Sequence, residues 1–298
     1  MVRDPSRYHQ GNASFPAQLS GSRDCASAPP LMITVRTLTT TPVKGMALHH
    51  PDRIDLGPDG AAGNRGFHLI DDSGEMVNGK REGALVMVEA EHSPDQGRLA
   101  LRLPDGTVAS GRVVSGERVV TSFYGRPVPG RLLEGPWSAA LSDLVGRPLR
   151  LVATERPGDA VDVHPVTLVS RASLEALRAS AGEPGIDGRR FRMLIEVDGC
   201  QAFSEDSWAG RTLRIGTAEI RVEGPVPRCV VVTRNPDDGV VDLPVLKMLA
   251  RLRATGSRSA LDAPGDDGGL CLGVYGTVRR PGVVSVGDEV TPTGPGRI

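Results

Sequence analysis

The chain has 298 residues, 39% of them hydrophobic and 24% charged, with a formal net charge of −1. That balance fits an ordinary soluble protein of about two domains and excludes a broad basic face for nucleic acid. No run approaches the roughly 20 apolar residues of a membrane-spanning helix, and the N-terminus lacks the apolar core of a secretory signal.

Cys25, Cys200, Cys229 and Cys271 are far apart and form no C-x-x-C pair, so neither a zinc ribbon nor an iron-sulfur ligand set can be read. Unpaired thiols point to a reducing, cytoplasmic compartment. Arginine has replaced lysine almost everywhere; only Lys44, Lys80 and Lys247 remain.

Residues 1 to 30 are rich in Ser, Pro, Gly, Asp and Arg without hydrophobic period and are expected to be a disordered extension. From Leu31 short strands follow: Ile33 to Leu38, Phe67 to Asp71, Ala84 to Ala90, and the alternation Leu99, Leu101, Leu103 before the turn Pro104-Asp105-Gly106. Strands at this spacing predict a small sandwich or barrel. Within them Thr41-Pro42-Val43-Lys44-Gly45 and Gly63-Asn64-Arg65-Gly66 each set a cation among backbone-permissive residues. Such a chain can approach an anion closely, with Lys44 a point charge and Arg65 a bidentate fork; solvated surface cations are the alternative. His49 and His50 lack a third ligand at metal spacing and read as surface residues.

Residues 137 to 145 predict a short helix closed by Gly146-Arg147-Pro148, and Leu149 to Ala153 a strand entering a second domain near residue 150. Val166 to Val169 predicts a strand, Ser170 an N-cap, and Leu174, Leu177 and Ala181 one helix face. Arg189, Arg190 and Arg192 surround Phe191 at a strand entrance, as an anion cluster or a solvated strand edge. Glu205-Asp206-Ser207-Trp208 reads as a packing anchor with capping carboxylates. A hairpin over Thr212 to Ile215 and Ala218 to Val222 leads into Gly224-Pro225-Val226-Pro227-Arg228-Cys229, and the β-branched run after it predicts a further strand. Cys229 is thus a directed thiol beside an arginine, or else a small buried hydrophobe. A helix is expected from about Asp242, a polar loop over residues 255 to 269, and closing strands over Leu272 to Val278 and Val283 to Val290.

Taken together, Pro42-Val43-Lys44, Asn64-Arg65-Gly66, Arg190-Phe191-Arg192, Glu205-Asp206-Ser207-Trp208, Pro227-Arg228-Cys229 and Gly273-Val274-Tyr275 occur in the order seen in MOSC-domain proteins. The chain resembles those that carry an N-terminal β-barrel domain, a group that includes the amidoxime-reducing components and their bacterial counterparts. The resemblance implies a mostly β protein with a few helices (α+β): a barrel-like domain over residues 31 to 150 and a MOSC β-barrel domain over 151 to 298. It further implies a molybdenum cofactor, with Cys229 as metal ligand and catalytic centre. Lys44 and Arg65 would hold the cofactor phosphate, and Arg192 and Tyr275 would contact the pterin. Arg190 and Arg228 match cofactor-side motif positions, and Asp206 is a candidate proton donor. Pyridoxal phosphate binding is attached to the family only as a general term.

The expected activity is a reductase of N-hydroxylated or N-oxide-type small molecules, fed by a separate ferredoxin or flavin electron donor, with neither nucleic acid nor membrane as partner. The alternative is a carrier of the cofactor or of sulfur that uses Cys229 as docking ligand or persulfide; a third reading pairs Cys229 with His164 in a cysteine hydrolase. Four departures from the family pattern stand out: Met193-Leu194 stand where Pro-Asn is usual, Gly45 where serine is, Thr41 where an aromatic is, and Val226 where many relatives have another cysteine.

Overall fold

The computed structural model describes residues 32–183, 185–255 and 270–294. The expected N-terminal extension and nearly all of the expected 255–269 loop lie outside these residues. Described strands outnumber helices, as a chain rich in turn residues and short alternating runs requires.

The largest sheet has seven strands in the order Thr34–Leu38, Ile195–Asp198, Val166–Ser170, Cys271–Arg280, Ala218–Pro227, Thr212–Ile215 and Val290–Thr293. Its two end strands approach each other. Thr34 bridges Glu289, the Val35 amide donates to the Asp288 carbonyl at 2.8 Å, and the Val290 amide donates to the Ile33 carbonyl at 2.8 Å. The sheet is therefore a nearly closed barrel, which leaves little edge to pair with a second chain. Its interior is filled by Leu38, Val166, Ile195, Val197, Leu213, Ile220, Val222 and Val274, with Trp208 packed among them.

A five-stranded sheet runs Met76–Val77, Phe67–Ile70, Arg150–Thr154, Arg126–Glu134 and Val114–Phe123. A three-stranded sheet of Glu89–Ser93, Arg98–Arg102 and Val108–Arg112 contributes Ala90, Leu99 and Leu101 to a core shared with helix α1, Trp137–Val145. Trp137 is fully buried and its indole N–H donates to the Leu99 carbonyl at 3.1 Å. Gly146 ends α1 at φ 72°, a conformation that favours glycine.

Helix α2, Arg171–Ala181, begins at Ser170, whose hydroxyl accepts from the Ser173 amide, the predicted cap. Helix α3, Val245–Thr255, packs beside it through Val245 and Leu249. Among the described residues no helix is long and apolar enough to cross a membrane.

Three expectations about local structure are overturned. The run Ala84 to Ala90 is a 3₁₀ helix over Gly83–Met87 followed by the strand Glu89–Ser93. Adjacent Leu85 and Val86 are both buried, which a strand with one solvated face cannot achieve. The β-branched run after Cys229 is a 3₁₀ helix, Val230–Thr233, and not a strand. There the Thr233 hydroxyl donates back to the Val230 carbonyl at 2.7 Å and the Val232 amide to the Cys229 carbonyl at 3.2 Å. Local bonds thus replace a ladder. The closing run divides into Gly282–Ser285 and Val290–Thr293, because Asp288 turns the chain by accepting from the Ser285 amide at 2.7 Å.

One prominent element had no counterpart in the sequence reading. Val114–Phe123 and Arg126–Glu134 form a long hairpin closed by Tyr124 at φ 51° and Gly125 at φ 84°. Two left-handed residues give the tight turn that matches strand twist.

Candidate functional site

The two cation motifs of the N-terminal half meet through their backbones. The Thr41 amide donates to Asn64 Oδ1 at 2.9 Å, the Arg65 amide to the Thr41 carbonyl at 2.7 Å, and the Lys44 amide to the Phe67 carbonyl at 2.8 Å. Arg65 is held at φ 53°, a left-handed conformation costly for a side-chain-bearing residue, so surrounding bonds fix its direction. Gly45 also has positive φ, and a Cβ there would lie 3.1 Å from Asn78 Cα. A serine at this position would be strained.

Lys44 is no surface cation. It is 3% exposed, and its Nζ donates to the Ala160 carbonyl and to Asp162 Oδ1, each at 2.9 Å. Arg65 Nη1 donates to the other oxygen, Asp162 Oδ2, at 3.0 Å. Burial lowers the Lys44 pKa to about 8, with the Arg65 and Arg192 charges adding to the fall against the attraction of Asp162. Burial alone would raise the Asp162 pKa, yet Lys44 and Arg65 pull its carboxyl below the usual carboxylate range.

Arg192 enters the same cluster from the other half of the chain. It stands at φ 51°, with Nη2 donating to the Met46 carbonyl at 2.7 Å. Burial pushes its pKa down to about 9, and the nearby Arg65 charge pushes the same way. Arg228 donates from Nη2 to the Phe191 carbonyl and places Nη1 3.3 Å from the Met193 sulfur, while its Nε is buried without a hydrogen-bond partner. Met193 and Leu194 are both buried in apolar cores, so packing explains them, and the Met193 thioether faces Arg228.

Tyr275 lies mid-strand, opposite Thr167 and Gly224, with its ring against His164 at 5.5 Å. Its phenol pKa is raised, first by burial and then by the Asp162 charge. Tyr124, at the hairpin tip, accepts from Asn78 Nδ2 at 3.1 Å and lies within electrostatic reach of Asp162, Cys229 and Arg65. Cys229 itself is exposed, at the start of its 3₁₀ helix. The inert buried reading of this thiol is therefore set aside.

Lys44, Arg65, Arg192, Arg228 and Tyr275 thus share one electrostatic neighbourhood around Asp162, and Arg228 interacts with Cys229. Two other candidates are engaged elsewhere. Arg190 is buried and donates both terminal nitrogens to Asp242, at 2.7 and 2.6 Å. Asp206 accepts from Arg253 Nη1 at 2.6 Å. Neither shares a hydrogen bond or ion pair with a member of the cluster. Asp162 and Tyr124 were missed by the sequence reading. Asp162 stands 118 residues from Lys44 and has no local signature, whereas Tyr124-Gly125 between β-rich runs was a readable hairpin signal.

Next to Lys44, His68 is fully buried, with Nε2 2.8 Å from the Thr121 hydroxyl. Burial, aided by the Lys44 charge, lowers its pKa from 6.5 to about 3. The unfolded chain therefore takes the proton first, and stability falls as pH drops from about 6.5 toward 3, by up to a few kcal/mol. Melting curves should show a larger loss between about pH 7 and pH 4 in the wild type than in His68→Gln, which cannot titrate there.

Four cations around one carboxylate leave positive charge uncompensated, and the orphaned Arg228 Nε adds an unused buried donor. Such a site fits an anionic ligand. Among the described residues no three His, Cys, Asp or Glu side chains are grouped to hold a metal ion. A metal beside Cys229 would have to arrive with most of its ligands supplied, as a soft, sulfur-bound metal would.

Two family models match the chain in tandem, the MOSC N-terminal beta barrel domain over residues 32–131 and the MOSC domain over residues 156–291. Mitochondrial amidoxime reducing component 2 of Bos taurus is 29% identical over 289 residues, covering 86% of this chain and 82% of the relative. Mitochondrial amidoxime-reducing component 1 of Homo sapiens is 27% identical over 290 residues, with the same coverage of 86% and 82%. Its Xenopus laevis counterpart is 26% identical over 261 residues, covering 76% and 71%.

Proposed function

We propose, from the premise that the chain belongs to the MOSC-domain proteins carrying an N-terminal MOSC β-barrel domain, that it is a molybdenum-cofactor-dependent reductase of N-hydroxylated or N-oxide-type compounds. The observation that carries this reading is the gathering of Lys44, Arg65, Arg192 and Arg228 in one electrostatic neighbourhood, with the exposed thiol of Cys229 beside Arg228. The site's excess cation charge and lone thiol suit a phosphate-bearing group that brings most of its own metal ligands.

In this reading Lys44 and Arg65 hold the phosphate, Arg192 and Tyr275 contact the pterin, and Cys229 supplies the protein's thiolate ligand. Arg228 sets a guanidinium within electrostatic reach of this sulfur. When bound, the cofactor supplies the two-electron chemistry that removes oxygen from an N–O bond. Tyr124, exposed and within electrostatic reach of Cys229, would be available to donate a hydrogen bond to the substrate. Asp206 is left out of this scheme, because its carboxylate is already bonded to Arg253. A separate ferredoxin or flavin partner delivers the electrons.

The exposure of Cys229 also favours a second reading, a carrier that docks the cofactor or holds sulfur as a persulfide. Dithionite-reduced protein mixed with a hydroxylamine or amidoxime separates the two. Stoichiometric, repeated loss of substrate supports the reductase; a persulfide on Cys229, detected by mass spectrometry in a chain without turnover, supports the carrier.

A further inference from the structure

The cations assigned above to the cofactor phosphate are already bridged from within the chain. Asp162 sets Oδ1 2.9 Å from Lys44 Nζ and Oδ2 3.0 Å from Arg65 Nη1, as two oxygens of a phosphate monoester would. A dianionic phosphate and this carboxylate cannot share both cations without close like-charge repulsion.

The carboxylate also has a way out. Asp162 lies on the segment joining the strands Arg150–Thr154 and Val166–Ser170, and its side chain is 43% exposed although Lys44 is buried. Val163 beside it is 60% exposed. Cations hold part of the segment, Lys44 binding the Ala160 carbonyl and Arg126 Nη2 donating to the Asp159 and Val161 carbonyls, each at 2.9 Å, and Ala160 itself is buried against Met76, Phe123 and Val128. At its start the Glu155 amide donates to the Pro129 carbonyl at 3.3 Å, and nearer Asp162 the backbone adds short turns, such as the Val161 amide to the Gly158 carbonyl at 3.1 Å. Moving Asp162 outward breaks no strand pairing and leaves the Arg126 tether as a pivot.

We propose that Asp162 is an internal surrogate for the phosphate: it holds Lys44 and Arg65 in position until an anion enters, and then swings out of the clamp. This rests on the phosphate-clamp reading of the previous subsection. Charge neutralisation by Asp162 keeps two buried or half-buried cations compatible with folding, at the cost of competing with the ligand.

The test is calorimetric binding of inorganic phosphate to the full chain produced without molybdopterin. Asp162→Asn is expected to bind phosphate about tenfold or more tightly than the wild type, the scale of one charged contact. Affinity equal to or weaker than wild type overturns the surrogate role. Lys44→Met is the control on the clamp itself: phosphate affinity that survives this change defeats the clamp reading, whichever way Asp162→Asn behaves. Hydrogen exchange on the unmodified protein needs no variant. Saturating phosphate should speed amide exchange over Asp159–His164, and slower or unchanged exchange there contradicts the proposal.

Discussion

Cys229→Ala is expected to remove reductase turnover while leaving the fold almost untouched. The side chain is exposed, makes no capping hydrogen bond, and sits at φ −110°, ψ 177°, which alanine adopts freely. Surface changes of this kind stay within about 0.5 kcal/mol, a shift of about 1–2 °C in melting temperature for a chain of this size. Turnover should fall by more than about a hundredfold, since even outer-shell changes at metal sites cost 10- to 100-fold. A dithionite-driven substrate assay run beside a thermal melt checks both halves. A variant that melts like the wild type and still turns over would remove Cys229 from the chemistry.

Lys44→Met should separate ligand binding from stability in the opposite sense to most buried substitutions. It keeps the apolar stem near the Phe123 ring, over which Nζ lies at 5.5 Å, and deletes the charge together with the Nζ hydrogen bonds to the Ala160 carbonyl and Asp162. Loss of one charge-assisted contact to the phosphate corresponds to about 1.5–3 kcal/mol, or roughly 10- to 100-fold in cofactor retention. The folded-state pKa of about 8 means that burial disfavours the ammonium relative to the unfolded chain. Between about pH 8 and 10.5 the unfolded state binds more protons, so wild-type stability rises with pH across that window. In Lys44→Met this rise should vanish, and the melting temperature at neutral pH should be no lower than wild type, since Asp162 keeps Arg65. A marked drop in melting temperature with unchanged cofactor retention would make Lys44 a structural residue.

Much of this was legible in the residues. Ser170 announced its cap, Gly146 closed α1 where expected, and the hairpin leading to Pro227 followed from its turn and alternation. The motifs carrying Lys44, Arg65, Arg192, Arg228 and Tyr275 were visible, and the fold brings all five into one neighbourhood. What the residues could not reveal was how these charges are balanced. Asp162 is an ordinary acid in its local sequence, and its role exists only because the chain returns it to Lys44 and Arg65. Similarly, Val230–Thr233 has strand composition, but a hydroxyl-to-carbonyl bond within four residues decides its form. As sequence, Met193 and Leu194 are only a departure from the family pattern; in the fold they are core residues, and Met193 also contacts Arg228.

Whether the chain carries molybdenum bears most directly on the proposed activity. Metal analysis of the full chain purified from cells that make molybdopterin, and from cells unable to make it, measures this without assuming a substrate. Stoichiometric molybdenum is expected in the first preparation and none in the second. A well-folded chain that emerges free of molybdenum from cells able to make the cofactor would contradict it.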